Sequence, residues 1–207
     1  QNHPHHLYDV AHHTIEAMRH TPKDEVLRLS MLLHDIGKAK VRATDKKGID
    51  HFYGHPEVSA EIAKKVLKDL RLDNQTIKEV TLLVSYHDYH LRQKITKVYI
   101  KEILKVTGEV LFDQLLLVNE ADARAQSLDK LPMKLEQIAY VRKLKEEIVV
   151  NHECYNLKML AINGGDLIKE GIAPGKVVGE ALEKALKYVI KYPEKNIKEV
   201  LVEYIKE

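Results

Sequence analysis

Residues 32–38 read LLHDIGK: two leucines, a histidine and an aspartate side by side, then a closing glycine and lysine. Imidazole and carboxylate both ligate metal ions. Leu29, Leu32 and Leu33 belong to the apolar stripe of a helix starting near Lys23, so His34 and Asp35 emerge beside a core, where a charge needs a partner. The pattern recurs. His87 falls on the Val80–Leu83–Val84 stripe, Asp122 continues Leu111–Leu115–Val118, His13 lies three residues past Val10, and His55 stands before Pro56 at the start of another periodic segment. Residues three or four apart share a helix face, so each of these polar groups points inward. One such histidine is satisfied by an internal hydrogen bond. For His13, His34, Asp35, His55, His87 and Asp122 together, burying four imidazoles and two carboxylates near one another without a cation would be very costly.

Six N/O ligands exceed what one tetrahedral zinc uses, and no thiolate takes part. Two ions sharing a bridging ligand fit better. Asp35 is the natural bridge, because a carboxylate has two oxygens to share, with a water or hydroxide as the second bridge. Ions about 3.5–4 Å apart clamp both oxygens of a phosphoryl displacement and lower the pKa of bound water, so the chemistry implied is phosphoester hydrolysis. Lys38, one turn beyond His34, reads either as a phosphate clamp over the site or as a solvent-facing lysine at a helix C-terminus. The run GKAKVRATDKK adds Lys40, Arg42, Lys46 and Lys47, which read as a guide for RNA or phosphate or as an ordinary solvated face. Histidine and carboxylate ligands suit manganese, iron, cobalt, nickel or zinc, with magnesium admissible, and do not choose among them.

The elements that must position these groups are helical. Apolar residues recur at helical spacing nearly throughout, as in Leu7–Val10–Thr14–Met18 and Val58–Ile62–Val66–Leu70, so the spacing predicts an all-α fold. His20-Thr21-Pro22 separates the first two helices, Gly37 ends the second, and ATDKKGIDHFYG at 43–54 is the extended loop of the first half. A charged helix is expected from Met133 to about Asn151, then a glycine-marked turn, a short helix and a further helix opened by Pro174.

At 207 residues the chain suits one compact body, or one domain with a tail packed on it. Lys+Arg at 33 against Asp+Glu at 31 leaves a formal charge of +2, with no overall basic excess to mark a nucleic-acid binder. Cys154 is the single cysteine, which excludes an internal disulfide and fits a reducing compartment. Apolar runs of about four residues exclude a membrane-spanning helix, which needs roughly 20, and the expected location is cytoplasmic. Opening on Gln1, the chain reads as a trimmed piece of something longer. Of its 12 histidines eleven fall in the first ninety residues, and His3, His5 and His6 read as a local polar cluster or tag remnant.

At these residues the chain resembles the HD-domain metal-dependent phosphohydrolases, named for adjacent His and Asp as in LLHDIGK. The segments QNHPHHLYDVAHHT, LRLSMLLHDIGKAK, HFYGHPEVSAEIA, VSYHD and LLLVNEADARAQ look most like the HD region of bacterial tRNA nucleotidyltransferases, the CCA-adding enzymes. The HD phosphatase part of bacterial RNA-end-healing proteins is similar. GGDLIKEGIAPGKVVGEAL resembles the C-terminal helices of CCA-adding enzymes. The resemblance implies an HD helical bundle over 1–126 and a C-terminal helical extension over 127–207 packed on it. It also implies that His13, His34, Asp35 and Asp122 form the first metal set, with Asp35 touching the second ion, and that His55 and His87 match the extra histidines of two-metal members. Asp88 reads as a further ligand or, in preference, as a residue that orients His87 from outside the ligand set. Ala11 and His12 depart from the related pattern, which leaves His12 competing with His13; Tyr53, Ser59, Arg124 and Gln126 lie in matching segments without an assigned role. Nothing in the chain resembles the nucleotidyltransferase catalytic head.

Three functions follow as expectations. The first is hydrolysis of 2′,3′-cyclic phosphate or 2′-phosphate esters of nucleotides or RNA ends, tRNA included. The second is a free-standing HD hydrolase of small nucleotides such as nucleoside monophosphates or diadenosine polyphosphates. The third is a non-catalytic tRNA-binding rear half of a CCA-adding enzyme. Oligomeric state is not legible.

Overall fold

The computed structural model describes residues 9–89 and 94–207; His3, His5, His6 and Leu7 lie outside them. Apart from one small hairpin, the described residues form helices and their connections, in keeping with the all-α expectation. Contacts divide the chain into two compact units, residues 1–94 with 109–142 and residues 95–108 with 143–207. One boundary falls at Gly108, whose φ of 69° and ψ of 179° interrupt the helical run Lys97–Arg124. That backbone region is essentially reserved for glycine.

In the first unit, α1 (Val10–His20) starts at Asp9, whose carboxylate accepts the His12 N–H. The next helix, α2 (Glu25–Leu33), is capped the same way by Asp24. It ends before Gly37, and a turn over residues 34–37 leads to the single-turn α3 (Lys38–Val41). The expected loop then folds into a hairpin of β1 (Ala43–Thr44) on β2 (Asp50–His51), with Ala43 opposite His51. Its turn closes because Asp45 Oδ1 accepts the Lys47 and Ile49 N–H groups and Gly48 takes a positive φ of 77°. Gly54, also left-handed, and Pro56 open α4 (His55–Asp69), and Asp73 caps α5 (Asn74–Tyr86).

Leu33, Ala60, Ala63, Leu67, Val80 and Val84 pack into one core. The buried face of α4 is therefore rotated one residue from the Val58–Ile62–Val66–Leu70 stripe, and Leu70 is 63% exposed. In α1 likewise His13 and Ala17 are buried rather than Val10 and Met18, and Leu32 of α2 is exposed. Small residues on the buried faces let helices approach closely, so bulk alone misplaces the inward face.

The second unit takes residues 97–107 of the helical run α6 (Lys97–Arg124), part of α7 (Leu131–Val150), then α8 (Gly164–Lys169), α9 (Lys176–Lys191) and α10 (Lys198–Lys206). Asn163 and Asp166 form a reciprocal capping box for α8. Pro174 lies in the turn before α9 rather than inside its first turn, and α10 was not anticipated. Its core joins Ile162, Leu167, Leu186, Val189 and Leu201. No helix among the described residues is long and apolar enough to cross a membrane.

Candidate metal centre

The six predicted ligands lie in the first unit, and all six are buried. Five of them sit at or next to helix ends: His34 caps α2 with Asp35 following it, His55 opens α4, His87 caps α5, and Asp122 is in the last turn of α6. His13 comes from the body of α1. Helix ends supply backbone carbonyls that lack an intrahelical partner, and the histidines use nearby carbonyls in a common way. The Nδ1–H of His34 donates to Met31 O at 2.7 Å, that of His87 to Val84 O at 2.7 Å, and that of His55 to Phe52 O at 2.9 Å. His13 Nδ1 reaches Ala125 O at 3.3 Å. A carbonyl only accepts, so all four rings carry hydrogen on Nδ1 and turn Nε2 inward, the tautomer and orientation that second partners impose on metal-binding histidines.

The inward atoms form two groups, His13–His34–Asp122 and Asp35–His55–His87, with one donor atom from each residue lying within 4.8 Å of the others. Asp35 stands between them. Its Oδ1 lies 3.2 Å from His55 Nε2 and 3.7 Å from His87 Nε2, while its Oδ2 lies 3.2 Å from His34 Nε2 and 4.0 Å from His13 Nε2. Asp122 Oδ1 is 2.8 Å from His13 Nε2 and 3.6 Å from His34 Nε2. Two observations fit the residues to divalent cations. His34 Nε2 and Asp35 Oδ1 are buried without a hydrogen-bond partner, and His55 Nε2 lies 3.2 Å from His87 Nε2, two atoms that are both bare acceptors in the carbonyl-held tautomer. A cation, or an added proton, must lie among them.

Burial disfavours charge on these groups, but their mutual attraction outweighs it. Burial alone would lower the His34 pKa, yet the Asp35 and Asp122 carboxylates push it up to about 10. Burial would raise Asp35 and Asp122, yet the surrounding histidines hold both well below the usual carboxylate range.

The remaining expectations divide. Lys38 is buried, not solvent-facing, with Nζ 2.6 Å from Asp35 Oδ2. Lys40 is exposed on α3, and Arg42 Nε is engaged 3.0 Å from Asp50 Oδ1 at the hairpin base rather than turned to the site. His12 points outward to Asp9, which separates it from His13. Val84 O holds the His87 ring at Nδ1, and Asp88 Oδ2 faces the Nε2 tips, 3.2 Å from His55 and 3.8 Å from His87, on the side where a ligand would lie. Arg124 pairs with Glu120 on the surface.

Four supporting residues carried no decisive sequence signal. Ser59 Oγ accepts the Gly37 N–H at 2.9 Å, and a Cβ on Gly37 would stand 2.6 Å from Ser59 N and 2.9 Å from His55 O, so glycine is what lets the His34–Lys38 turn close on α4. Asn119 Nδ2 donates to His87 O. Gln126 Nε2 donates to Asp122 Oδ2 at 2.8 Å, leaving Oδ1 inward, and Lys134 Nζ donates to Gln126 Oε1. Burial pushes the Lys134 amine down. Only the four-residue spacing from Asp122 to Gln126 could have suggested a contact.

Residues 45–205 match the family described as tRNA nucleotidyltransferase domain 2 (putative), and the chain belongs to that family. The match takes in His55, His87, Asp88 and Asp122 and begins after His13, His34 and Asp35. The A-adding tRNA nucleotidyltransferase of Deinococcus radiodurans is 29% identical over 187 residues, 86% of this chain and 42% of that protein. The multifunctional CCA protein of Methylobacillus flagellatus is 27% identical over 177 residues, 80% of this chain and 39% of that protein. The CC-adding tRNA nucleotidyltransferase of Thermus thermophilus is 38% identical over 89 residues, 40% of this chain and 20% of that protein. The chain thus spans about two fifths of the first two relatives, and none of the three is named a phosphohydrolase. No solved structure gives a significant match.

Proposed function

We propose that this chain is the RNA-holding rear part of a tRNA nucleotidyltransferase-type protein and adds no nucleotide by itself. The observation that carries this reading is the family match over residues 45–205, which spans most of both compact units. The test is binding of tRNA against a plain duplex of equal length, at several salt concentrations because phosphate contacts make affinity salt-dependent. Preferential tRNA binding without incorporation of labelled CTP or ATP is expected. Absence of that preference, or incorporation by the chain alone, would sink the reading.

A second reading is favoured by one observation, the convergence of four Nε2 atoms on the two oxygens of Asp35. In it the unit is a metal-dependent phosphohydrolase acting on 2′,3′-cyclic phosphate or 2′-phosphate esters of nucleotides or RNA ends. His13, His34 and Asp122 would hold one ion, His55 and His87 the other, and Asp35 both, with Asp88 beside the second group. Such ions supply Lewis acidity and a water acidic enough to act near neutral pH. Lys38 would place its ammonium against a substrate phosphate from the Asp35 side. A hydrolysis panel with manganese, iron, cobalt, nickel, zinc or magnesium decides it. Cleavage of 2′,3′-cyclic AMP in preference to 3′,5′-cyclic AMP is expected; a preference for 5′-mononucleotides or diadenosine polyphosphates would point to small nucleotides, and no turnover with any metal would leave the holding role alone.

A further inference from the structure

Tyr53 is 79% exposed, two residues before His55. A single exposed tyrosine is ordinary; this one lies beside a second ring that shares its plane direction. Its ring lies parallel to that of His51, 5° between planes and 5.4 Å between centroids. His51 is itself held, with Nε2 3.0 Å from Asp45 Oδ2, and Asp45 is fixed by the hairpin-turn N–H groups it accepts through Oδ1. The result is a braced and largely open aromatic shelf, on a hairpin that also carries the exposed Lys46 and Lys47.

The shelf joins the metal centre through one residue. Phe52 O accepts the His55 Nδ1–H at 2.9 Å, and Lys38 Nζ lies 5.7 Å from the centroid of the Phe52 ring. Two residues of chain reach about 7 Å at most, so the Tyr53 and His55 backbones lie no farther apart than roughly the span between a nucleotide's phosphate and its base. We propose that Tyr53, backed by His51, is the stacking platform for the base of a nucleotide whose phosphate meets the Asp35–His55–His87 side of the centre. Every base has a π-face, so such a platform selects nucleotides over sugar phosphates while tolerating sequence. This rests on the reading that the centre meets a nucleotide or RNA phosphate.

Equilibrium dialysis with manganese present, using inorganic phosphate, ribose 3-phosphate and 3′-AMP, tests it on wild type, Tyr53→Ala, Tyr53→Phe and His51→Ala. Tyr53→Ala should weaken 3′-AMP about tenfold, within the range of single-base stacking, and leave ribose 3-phosphate unchanged. Tyr53→Phe should retain wild-type affinity, and His51→Ala should lose less than Tyr53→Ala. An unaltered affinity of Tyr53→Ala for 3′-AMP, or an equal loss for both sugar phosphates, overturns the platform alone. Failure of wild type to bind phosphate in any of the three probes overturns the phosphate reading and the platform with it.

Discussion

Each compact unit gathers a cluster of charges around at least one buried member, and the clusters are built on opposite plans. In the second unit Lys101 is 1% exposed, with Nζ 2.8 Å from Glu153 Oε2; the other oxygen of Glu153 meets Lys97 at 3.1 Å, and Lys97 also reaches Glu147 at 2.9 Å. Each oxygen of Glu153 faces an ammonium, so the cluster is complete in itself. In the first unit backbone carbonyls take the Nδ1–H groups, and the Nε2 lone pairs are turned toward one another and toward Asp35. Buried charge by itself marks nothing functional. What separates the two is whether donors and acceptors balance, and only the first-unit cluster has more acceptors than the chain supplies donors.

The largest expected effect is on that imbalance. Asp35 offers one oxygen to each group, so Asp35→Ala should release both metal ions and abolish any hydrolysis. His55→Ala and His87→Ala touch one group only; each should leave roughly one metal per chain and lower turnover at least about a hundredfold, the scale of losing an electrostatic stabiliser. Metal analysis on folded variants checks this, and near-wild-type metal content and turnover in both histidine variants would falsify the two-ion arrangement.

The counterpart in the second unit is Lys101→Met, which leaves Glu153 short of its buried partner. Breaking a fully buried pair from one side costs about 3–5 kcal/mol, and Glu153, half-buried and still facing Lys97, sets the loss below that. Denaturant unfolding should show this smaller loss with metal content unchanged. Adding Glu153→Gln to it should recover part of the loss, because the stranded charge is removed. A fall in bound metal in either variant would mean that the two clusters are not separate in kind.

That these six residues come together was legible because polar residues interrupt apolar stripes, as His87 does after Val84 and Asp122 after Val118. The partner of the His87 Nδ1–H is a main-chain carbonyl, which no side-chain pattern reveals. The buried faces of α1 and α4 were read one residue off, since Ala17, Ala60 and Ala63 pack inward while bulkier neighbours draw the eye. The division into two units depends on the backbone at Gly108 and on long-range contacts, whereas periodicity reports only local ones. Gln126 and Lys134 act through hydrogen bonds that come together only once α6 and α7 are placed.

Gln126 gives a smaller and more selective test. Its amide holds the outer oxygen of Asp122 and so presents Oδ1 to His13 and His34. Loss of such an outer partner typically costs 10–100-fold in metal affinity. Gln126→Ala should therefore weaken one of two ions by about that factor in a calorimetric titration and leave the other as it was. Equal weakening of both would indicate general loosening of the unit rather than positioning of Asp122.

The mildest expected difference between the units is in their response to alkali, measured in chelator so that only protons compete for the site. The His34 pKa is raised from 6.5 to about 10 by the two carboxylates, against the effect of burial. A group whose folded pKa is raised contributes stability in full below its unfolded value and loses it as pH rises through the folded one. The first unit should thus weaken steadily from about pH 6.5 towards 10. Lys134 acts the other way, because burial lowers its pKa and rising pH relieves that penalty, but its displacement is the smaller. In the second unit Glu153 is held below its ordinary 4.5 by Lys101 and Lys97, against the effect of burial, so its contribution is present above 4.5 and lost only as acid carries pH through the lowered value. Burial raises the Cys154 thiol above 9.0, and Lys97 is raised above 10.5 by hydrogen bonds to Glu147 and Glu153, so neither weakens that unit until pH passes 9. Between about pH 6.5 and 9, amide protection relative to the intrinsic exchange rate at each pH should therefore fall in α4 and α5 while that of α9 and α10 holds steady. Equal loss of protection in both units would show that His34 does not carry its proton between Asp35 and Asp122, and would remove the charge on which that side of the comparison rests.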